Sequence, residues 1–322
     1  MPKTPPASPR TSPFDLKSED GYFWLKGNLH SHTTNSDGRC SPQERVDDYA
    51  GRGYGFLCLS DHYRITRVDS VRAPKGLTLI QGAELHPENP FGGQTHHFLA
   101  LDIHEDMDSQ KMPPQHVIDA VRKQGGSIWL AHPHWSSVNV LRDAMPLRGL
   151  AGLEVFNTTC RCHARGESSV HWDDWMALAD WLCPALATDD CHAQASQQHD
   201  TFQGWTMVRV GERTPGAIVE ALERGAAYSS TGPEIRDIRL TRSPEDRPDR
   251  RVVQATVSCS EARRIYAVCD AWGVEFHRQG LTFDSATFDL LPGAKYVRFE
   301  VVGPDGSKAW SNPFDLAPIL AA

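Results

Sequence analysis

His30-Ser31-His32-Thr33-Thr34-Asn35-Ser36-Asp37-Gly38 follows directly on the apolar-flanked stretch from Tyr22 to Leu29. In an extended strand, residues i and i+2 project from one face, so the imidazoles of His30 and His32 point together. Asp37, a few residues on, adds a carboxylate, and the run reads as the start of a metal site. The signature recurs along the chain. Asp61 and His62 follow Leu57-Cys58-Leu59-Ser60, and Glu84 ends Leu79-Ile80-Gln81-Gly82-Ala83. His96 and His97 adjoin Phe98-Leu99-Ala100-Leu101, and His132 and His134 follow Ile128-Trp129-Leu130-Ala131. Asp190-Cys191-His192 closes the series after Ala187-Thr188-Asp189, again with an acid and a histidine at i and i+2. One histidine beside an apolar strand is most often hydrogen-bonded within a core. Recurrence at consecutive strand ends favours metal ligation instead.

The chain has 322 residues, enough for one large domain or a large domain with a small one. Its 39% hydrophobic content supports a sizeable core, and no apolar run reaches the ~18 residues of a membrane span. Met1-Pro2-Lys3-Thr4-Pro5-Pro6-Ala7-Ser8-Pro9 has no apolar signal-peptide core, and residues 1–20 are expected to be a disordered tail. Eight cysteines without framework spacing lead us to expect reduced thiols and a cytoplasmic location. A formal net charge of −8 argues against a nucleic acid polymer as partner. It leaves room for a small anionic substrate, because bound ions dominate the local field of a metal site.

Strand-like and helix-like segments alternate from Phe23 to about Gly211. Ser41-Pro42-Gln43-Glu44 carries the N-cap, N1 and N3 residues of a helix running to Ala50. Pro113-Pro114 opens a second helix that stops at Gly125-Gly126, and a third is expected over His171–Leu182, with Trp172, Trp175, Leu178 and Ala179 on one face. A fourth covers Thr214–Arg224. Short apolar strands alternating with helices indicate a parallel sheet covered by helices, and the ligand candidates fall at the strand C-termini, where barrels of this kind keep their catalytic groups. After residue 233 the pattern changes to short strands between turns, over Ile235–Leu240, Val252–Val257, Arg264–Val268, Gly273–His277, Ala286–Leu290 and Tyr296–Val302. This part reads as a small antiparallel β-sandwich-like domain, residues 234–322, following a catalytic domain of residues 21–233.

These motifs resemble the PHP (polymerase and histidinol phosphatase) family of amidohydrolase-like metal-dependent hydrolases, and within it the CehA/McbA-like group. His30-Ser31-His32, Ser36-Asp37-Gly38, Ser60-Asp61-His62, Gly82-Ala83-Glu84, His97, Ala131-His132-Pro133 and Asp190-Cys191-His192 carry the resemblance, with Gly225–Pro233 at its end. The resemblance implies an α/β fold, a distorted seven-stranded β/α barrel of PHP type, holding two or three divalent ions. It implies that His30, His32, Glu84 and Asp190 hold the first metal, and that Glu84 bridges to a second completed by His97 and His132. The resemblance likewise implies that Asp37, His62 and His192 hold the third. Asp37 stands where some relatives have a histidine, and Cys191 faces away from its neighbours and is read as packing.

Mixed imidazole and carboxylate ligation suits Zn, Mn or Fe rather than an all-oxygen Ca or Mg cage. A metal-bridging hydroxide could attack either a phosphoester or a carbonyl. The first reading is a phosphoesterase acting on a small phosphorylated metabolite or nucleotide. A carbamate, amide or ester hydrolase with the same centre is the second, and a non-catalytic metal-stabilised binding module the third. Glu84, Asp190 and His134 are the candidate catalytic residues, and Arg161 and Arg165 the candidate substrate clamps. Asp61 is expected to orient His62, Glu154 to support the ligands from a strand end, and Trp135 to wall the pocket.

Overall fold

The computed structural model of the protein describes residues 12–88, 95–137, 140–179, 181–194, 196–197, 199–270, 273–277 and 280–321. Strands β1 (Phe23–Asn28), β2 (Phe56–Leu59), β3 (Thr78–Leu85), β4 (Phe98–Leu101), β5 (Ser127–Leu130), β6 (Gly152–Asn157) and β7 (Ala185–Thr188) pair in that order. Every residue of β2, β4, β5, β6 and β7 is buried, which is why β2 and β4 read as unbroken apolar runs and why Glu154 and Asn157 of β6 need partners inside the fold. Helices α1 (Pro42–Ala50), α2 (Pro114–Lys123), α3 (Pro133–Ser136), α4 (Thr158–Arg161) and α5 (Ser169–Ala179) lie between strands. The first has the full capping box: Ser41 Oγ accepts from the Glu44 amide, and the Ser41 amide donates to the Glu44 carboxylate.

The sheet is not uniformly parallel. β1, β2 and β3 run together, as do β5, β6 and β7, but β4 is antiparallel to both of its neighbours. The reversal matters for the site, because it brings the start of β4 to the edge where the parallel strands end. His97 therefore reaches the other candidate ligands from a strand's N-terminal side. No ladder closes a barrel among the described residues. A single parallel bridge, Ser31 to Cys191, joins the chain just beyond β1 to the chain just beyond β7. Its bonds, His32 N to Cys191 O at 3.0 Å and Asp190 N to His30 O at 2.8 Å, bring the two ligand-bearing segments side by side.

On the other flank of β1 the sheet continues through β8 (Trp205–Val210) and, after α6 (Pro215–Glu223), β9 (Ala227–Ser230). The C-terminal part contributes β10 (Ile235–Arg242), β11 (Val253–Ala262), β12 (Arg264–Cys269), β13 (Gly273–His277), β14 (Phe283–Asp289), β15 (Tyr296–Val302), β16 (Lys308–Ser311) and β17 (Phe314–Asp315). β10, β11 and β14 form a separate three-stranded sheet, whereas β16 pairs with β9 and fuses the remaining strands to the main sheet. Both layers enclose one core, in which Ile238, Val257 and Ala286 share a cluster with Ile265, Phe299 and Val301. The sandwich-like expectation thus meets an antiparallel two-layer unit, one layer of which continues the larger sheet.

Two other expectations need correction. Leu178 is 62% exposed, because six residues turn a helix about 240° and carry it away from Trp172. Met176 fills the buried face instead, beside Trp172 and Trp175. Met1–Thr11 of the expected tail lie outside the described residues, but residues 12–20 are docked: Phe14 meets Trp24 at 5.6 Å and the Leu16 carbonyl accepts from Arg209.

Asn312 ties the two parts together. Its Oδ1 accepts from the Ala185 amide at 2.8 Å, and its Nδ2 donates to the Gly225 and Ala227 carbonyls at 3.3 and 3.1 Å. Asn312→Ala leaves these buried groups unmatched and is expected to lower unfolding free energy by about 1–3 kcal/mol. Urea denaturation checks this through a lower midpoint at unchanged slope; a midpoint equal to that of the parent chain contradicts it.

Candidate metal centre

Glu84, one residue before the end of β3, is 1% exposed and surrounded by imidazoles. Its two oxygens face different groups. Oε2 lies 3.3 Å from His30 Nε2, 3.4 Å from His32 Nε2 and 2.8 Å from His62 Nδ1. Oε1 lies 2.7 Å from His97 Nδ1, 3.2 Å from His132 Nε2 and 3.6 Å from His86 Nε2. Gly82 makes this placement possible, since a Cβ there would sit 2.5 Å from the Ala100 carbonyl oxygen and 2.6 Å from Cys58 Sγ.

Asp190 Oδ1 completes the first group, 3.1 Å from His30 Nε2 and 2.9 Å from His32 Nε2. The residue stands at φ 55° and His132 at φ 23°, backbone that non-glycine residues seldom adopt and that clusters at functional sites. Asp37 Oδ1 is 3.4 Å from His192 Nε2, and its Oδ2 is 3.4 Å from His62 Nε2. Asp37 is also the most open member, with a side chain 56% exposed. The candidate donors gather into sets that include His30–His32–Glu84–Asp190, Glu84–His97–His132 and His32–Asp37–His62–His192. Within each set, the ligand atoms all lie within 4.8 Å of one another. His32 thus borders the outer set as well as the inner one.

The partners behind the ligands select which nitrogen each presents. His30 Nδ1 donates to Glu154 Oε1 at 2.8 Å, His132 Nδ1 is 3.0 Å from Ser136 Oγ, and His192 Nδ1 donates to the Asp190 carbonyl at 2.8 Å. In each case Nε2 is left facing a carboxylate, the arrangement metal-bound histidines show. Glu154 is not at a strand end but inside β6, fully buried, where it also accepts from the His132 amide, Asn157 Nδ2 and Thr188 Oγ1. Asp61 does not orient His62. It accepts from the Thr33 amide and hydroxyl, Ser36 and Thr66, and so pins the loop that carries Asp37. Gly38 lets this loop fold back, because a Cβ there would meet the His32 carbonyl at 2.5 Å.

A metal fits this donor set. His30 Nε2 and His86 Nε2 are buried without a hydrogen-bond partner, a cost that coordination would remove. Charge points the same way. Burial disfavours the imidazolium of His62, yet hydrogen bonds and charge from Asp37 and Glu84 outweigh it and hold the group at about 10. Burial likewise opposes charge on His30, but Asp190, Glu154 and Glu84 push it well above its ordinary value. The carboxylates demand positive charge, which protons supply in the absence of cations. Metal loading near pH 7.5 is therefore expected to release protons, His62 among the sources. Calorimetry in buffers of different ionisation enthalpy checks this; equal heats in all buffers contradict it. The sign for the metal-free fold follows from linkage: the His62 contribution is full below about 6.5 and is lost as pH rises through about 10.

The remaining candidates lie at the mouth. Trp135 stands 5.1 Å from the His132 ring and 5.6 Å from that of His97, forming a wall. His134 is half-buried, with Nδ1 2.9 Å from the Glu167 carbonyl, and belongs to none of the donor sets above. Arg165 is exposed and donates to the His134 carbonyl at 3.3 Å and to Ser137 Oγ at 2.8 Å, while Arg161 donates to the Gln203 side chain. Cys191 is buried and accepts from Tyr49, consistent with packing. His86 was not apparent as a candidate in the sequence, although it stands two residues after Glu84, the same spacing that pairs His30 with His32.

No known family profile and no curated protein matches the chain. Among solved structures, it is similar to a two-domain protein from Bacteroides vulgatus described as containing a predicted PHP-like metal-dependent phosphoesterase. The identity is 18% and the TM-score 0.51, over 92% of this chain and 96% of that one. Two weaker likenesses cover about half of this chain. One is to a protein from Bifidobacterium adolescentis named as a metal-dependent phosphoesterase, with 18% identity and TM-score 0.40 over 52% of this chain and 88% of that one. The other is to an amidohydrolase from Chromobacterium violaceum, with 16% identity and TM-score 0.37 over 53% and 88%. With nearly the whole length of both chains superposed on the first of these, the protein shares the overall fold of that protein.

Proposed function

We propose that the protein is a metal-dependent hydrolase whose preferred substrate is a phosphoester of a small metabolite or nucleotide. The observation that carries this reading is Glu84, with Oε2 aimed at His30, His32 and His62 and Oε1 aimed at His97 and His132. A carboxylate so divided can bridge two cations. Divalent ions held there would supply a water of lowered pKa and charge neutralisation for a substrate oxyanion. Zn, Mn and Fe suit these donors.

The chain's own residues set the rest of the chemistry. His30, His32 and Asp190 belong to the inner position with Glu84; His97 and His132 complete the neighbouring one. Asp37, His62 and His192 form an outer position nearer solvent. His134, whose Nδ1–H donates to the Glu167 carbonyl, leaves the Nε2 lone pair to accept a hydrogen bond or proton from water or substrate at the mouth. Arg165 braces the His134 carbonyl, and with Arg161 supplies guanidinium groups for an anionic substrate arriving at the mouth. Trp135 excludes water on one side. Two divalent ions outweigh the carboxylates of Glu84, Asp190 and Glu154 by a single positive charge, so before a hydroxide binds the loaded centre is cationic, which favours a phosphate over a neutral carbamate. The description of the Bacteroides protein agrees with this choice.

Phosphate release by Mn- or Zn-loaded protein over a panel of phosphomonoesters and nucleotides tests the proposal, with a chelated control and aryl carbamates alongside. Chelator-sensitive phosphate release is the expected result. Carbamate turnover without phosphate release, from protein shown to hold its metals, would transfer the same ligands to carbonyl chemistry and overturn the phosphoester assignment.

A further inference from the structure

His86 lies outside the two positions that share Glu84 and outside the Asp37 set, yet it is built like a ligand. Its Nδ1 is 2.9 Å from Tyr63 Oη, so the distal nitrogen is engaged. Its Nε2 is buried, has no hydrogen-bond partner and lies 3.6 Å from Glu84 Oε1. The ring stacks on His97 with centroids 3.6 Å apart and meets His62 edge-on at 4.8 Å, which fixes its orientation. Tyr63 is itself held at φ 66°, with its amide donating to the Glu84 carbonyl at 2.8 Å. Buried polar nitrogens in folded proteins are as a rule matched. Here one is oriented by a tyrosine and the other is left bare beside a buried carboxylate.

Two further donors lie beside it. His62 Nδ1 and Glu84 Oε2 are buried and 2.8 Å apart, and His62, Glu84 and His86 place ligand atoms within 4.8 Å of one another. We propose that His62 Nδ1, Glu84 and His86 Nε2 form an additional divalent-cation position, an alternative seat for the outer ion. The alternative arises because His62 looks two ways, with Nε2 toward Asp37 and Nδ1 toward Glu84. A neutral imidazole has one lone pair, so a metal-bound His62 serves one seat or the other. The outer ion can therefore sit with Asp37 and His192 at the solvent side, or with Glu84 and His86 against the inner pair. An ion that moves between these seats changes the charge presented to a substrate at the mouth without any ligand leaving the fold.

The inference rests on the proposal that the centre binds divalent metal, and its test separates the two. Full-length parent, Asp37→Ala and Asp37→Ala/His86→Gln chains are titrated with Co(II). Bound cobalt is counted by elemental analysis, the d–d absorption is recorded, and anomalous diffraction locates the ions in crystals. Asp37 is largely exposed, so its removal is expected to leave the fold intact. The expected result is that Asp37→Ala keeps an outer cobalt, located between His62 and His86, and that the double variant loses that one equivalent together with its absorption band. Equal cobalt content and spectra in the single and double variants, or no anomalous peak near His86, overturns the additional seat. A parent chain that binds no cobalt overturns the metal centre itself.

Discussion

Glu84→Gln is expected to reduce chelator-sensitive turnover by about 10³-fold or more, on the scale of losing a principal electrostatic anchor of an active site. Glutamine keeps the size and one oxygen but gives up the charge and the symmetry of the carboxylate. Glu84 is shared by the set with His30, His32 and Asp190 and the set with His97 and His132, and also by the set with His62 and His86, so one substitution weakens these positions together. Bound metal is expected to fall in parallel with turnover. His97 gives a second readout: burial already pushes its imidazole down to about 4, against the pull of the Glu84 charge. With that charge removed, the group moves further in the same direction and remains neutral. The fold is expected to tolerate the change, since an isosteric amide replaces a buried charge among groups that can donate or accept. Metal content and turnover both equal to those of the parent chain would remove Glu84 from the centre.

Glu154→Gln is expected to weaken metal affinity by about 10–100-fold while leaving every direct ligand in place. Glu154 is fully buried behind the centre, in a donor set with His30 and His132, and it gathers four contacts. It accepts from His30 Nδ1, the His132 amide, Asn157 and Thr188. Through these bonds it orients His30, sets the backbone of His132 at its unusual φ, and steadies Asn157, which also donates to Asp190 at 3.2 Å. The amide cannot accept at both ends, so at least one of these bonds is lost. A competition titration against a chromophoric chelator measures the change. Unaltered affinity, in a variant whose melting temperature matches that of the parent, would show that the bond to His30 does not tune the centre.

The motif loop and its neighbours were legible from residue spacing. Ser41-Pro42-Gln43-Glu44 specifies the start of α1 by chemistry local to four residues, and the structure has that capping box. The gathering of candidate ligands at one edge of the sheet was also legible, because polar residues repeatedly follow apolar runs. The direction of β4 was not. A short buried strand has the same composition whichever way it runs, and only the pairing with β3 and β5 decides it. β16 was missed for a related reason: Lys308–Ser311 is a four-residue strand whose partner, β9, lies far away in sequence. Glu154 was legible as a support for the ligands, but its partner was not, because His30 lies more than a hundred residues away and only the fold brings the two together. His86 carries the i, i+2 relation to Glu84 openly. Its significance comes from Tyr63 and from the bare nitrogen, which only the folded chain reveals.

The central claim is that two cations share Glu84. Anomalous diffraction from crystals of the full chain loaded with Mn or Zn tests it most directly. The account predicts two peaks flanking the Glu84 carboxylate, one beside His30, His32 and Asp190 and the other beside His97 and His132. A loaded crystal with no peak at Glu84, or with its ions bound only elsewhere on the chain, would contradict it.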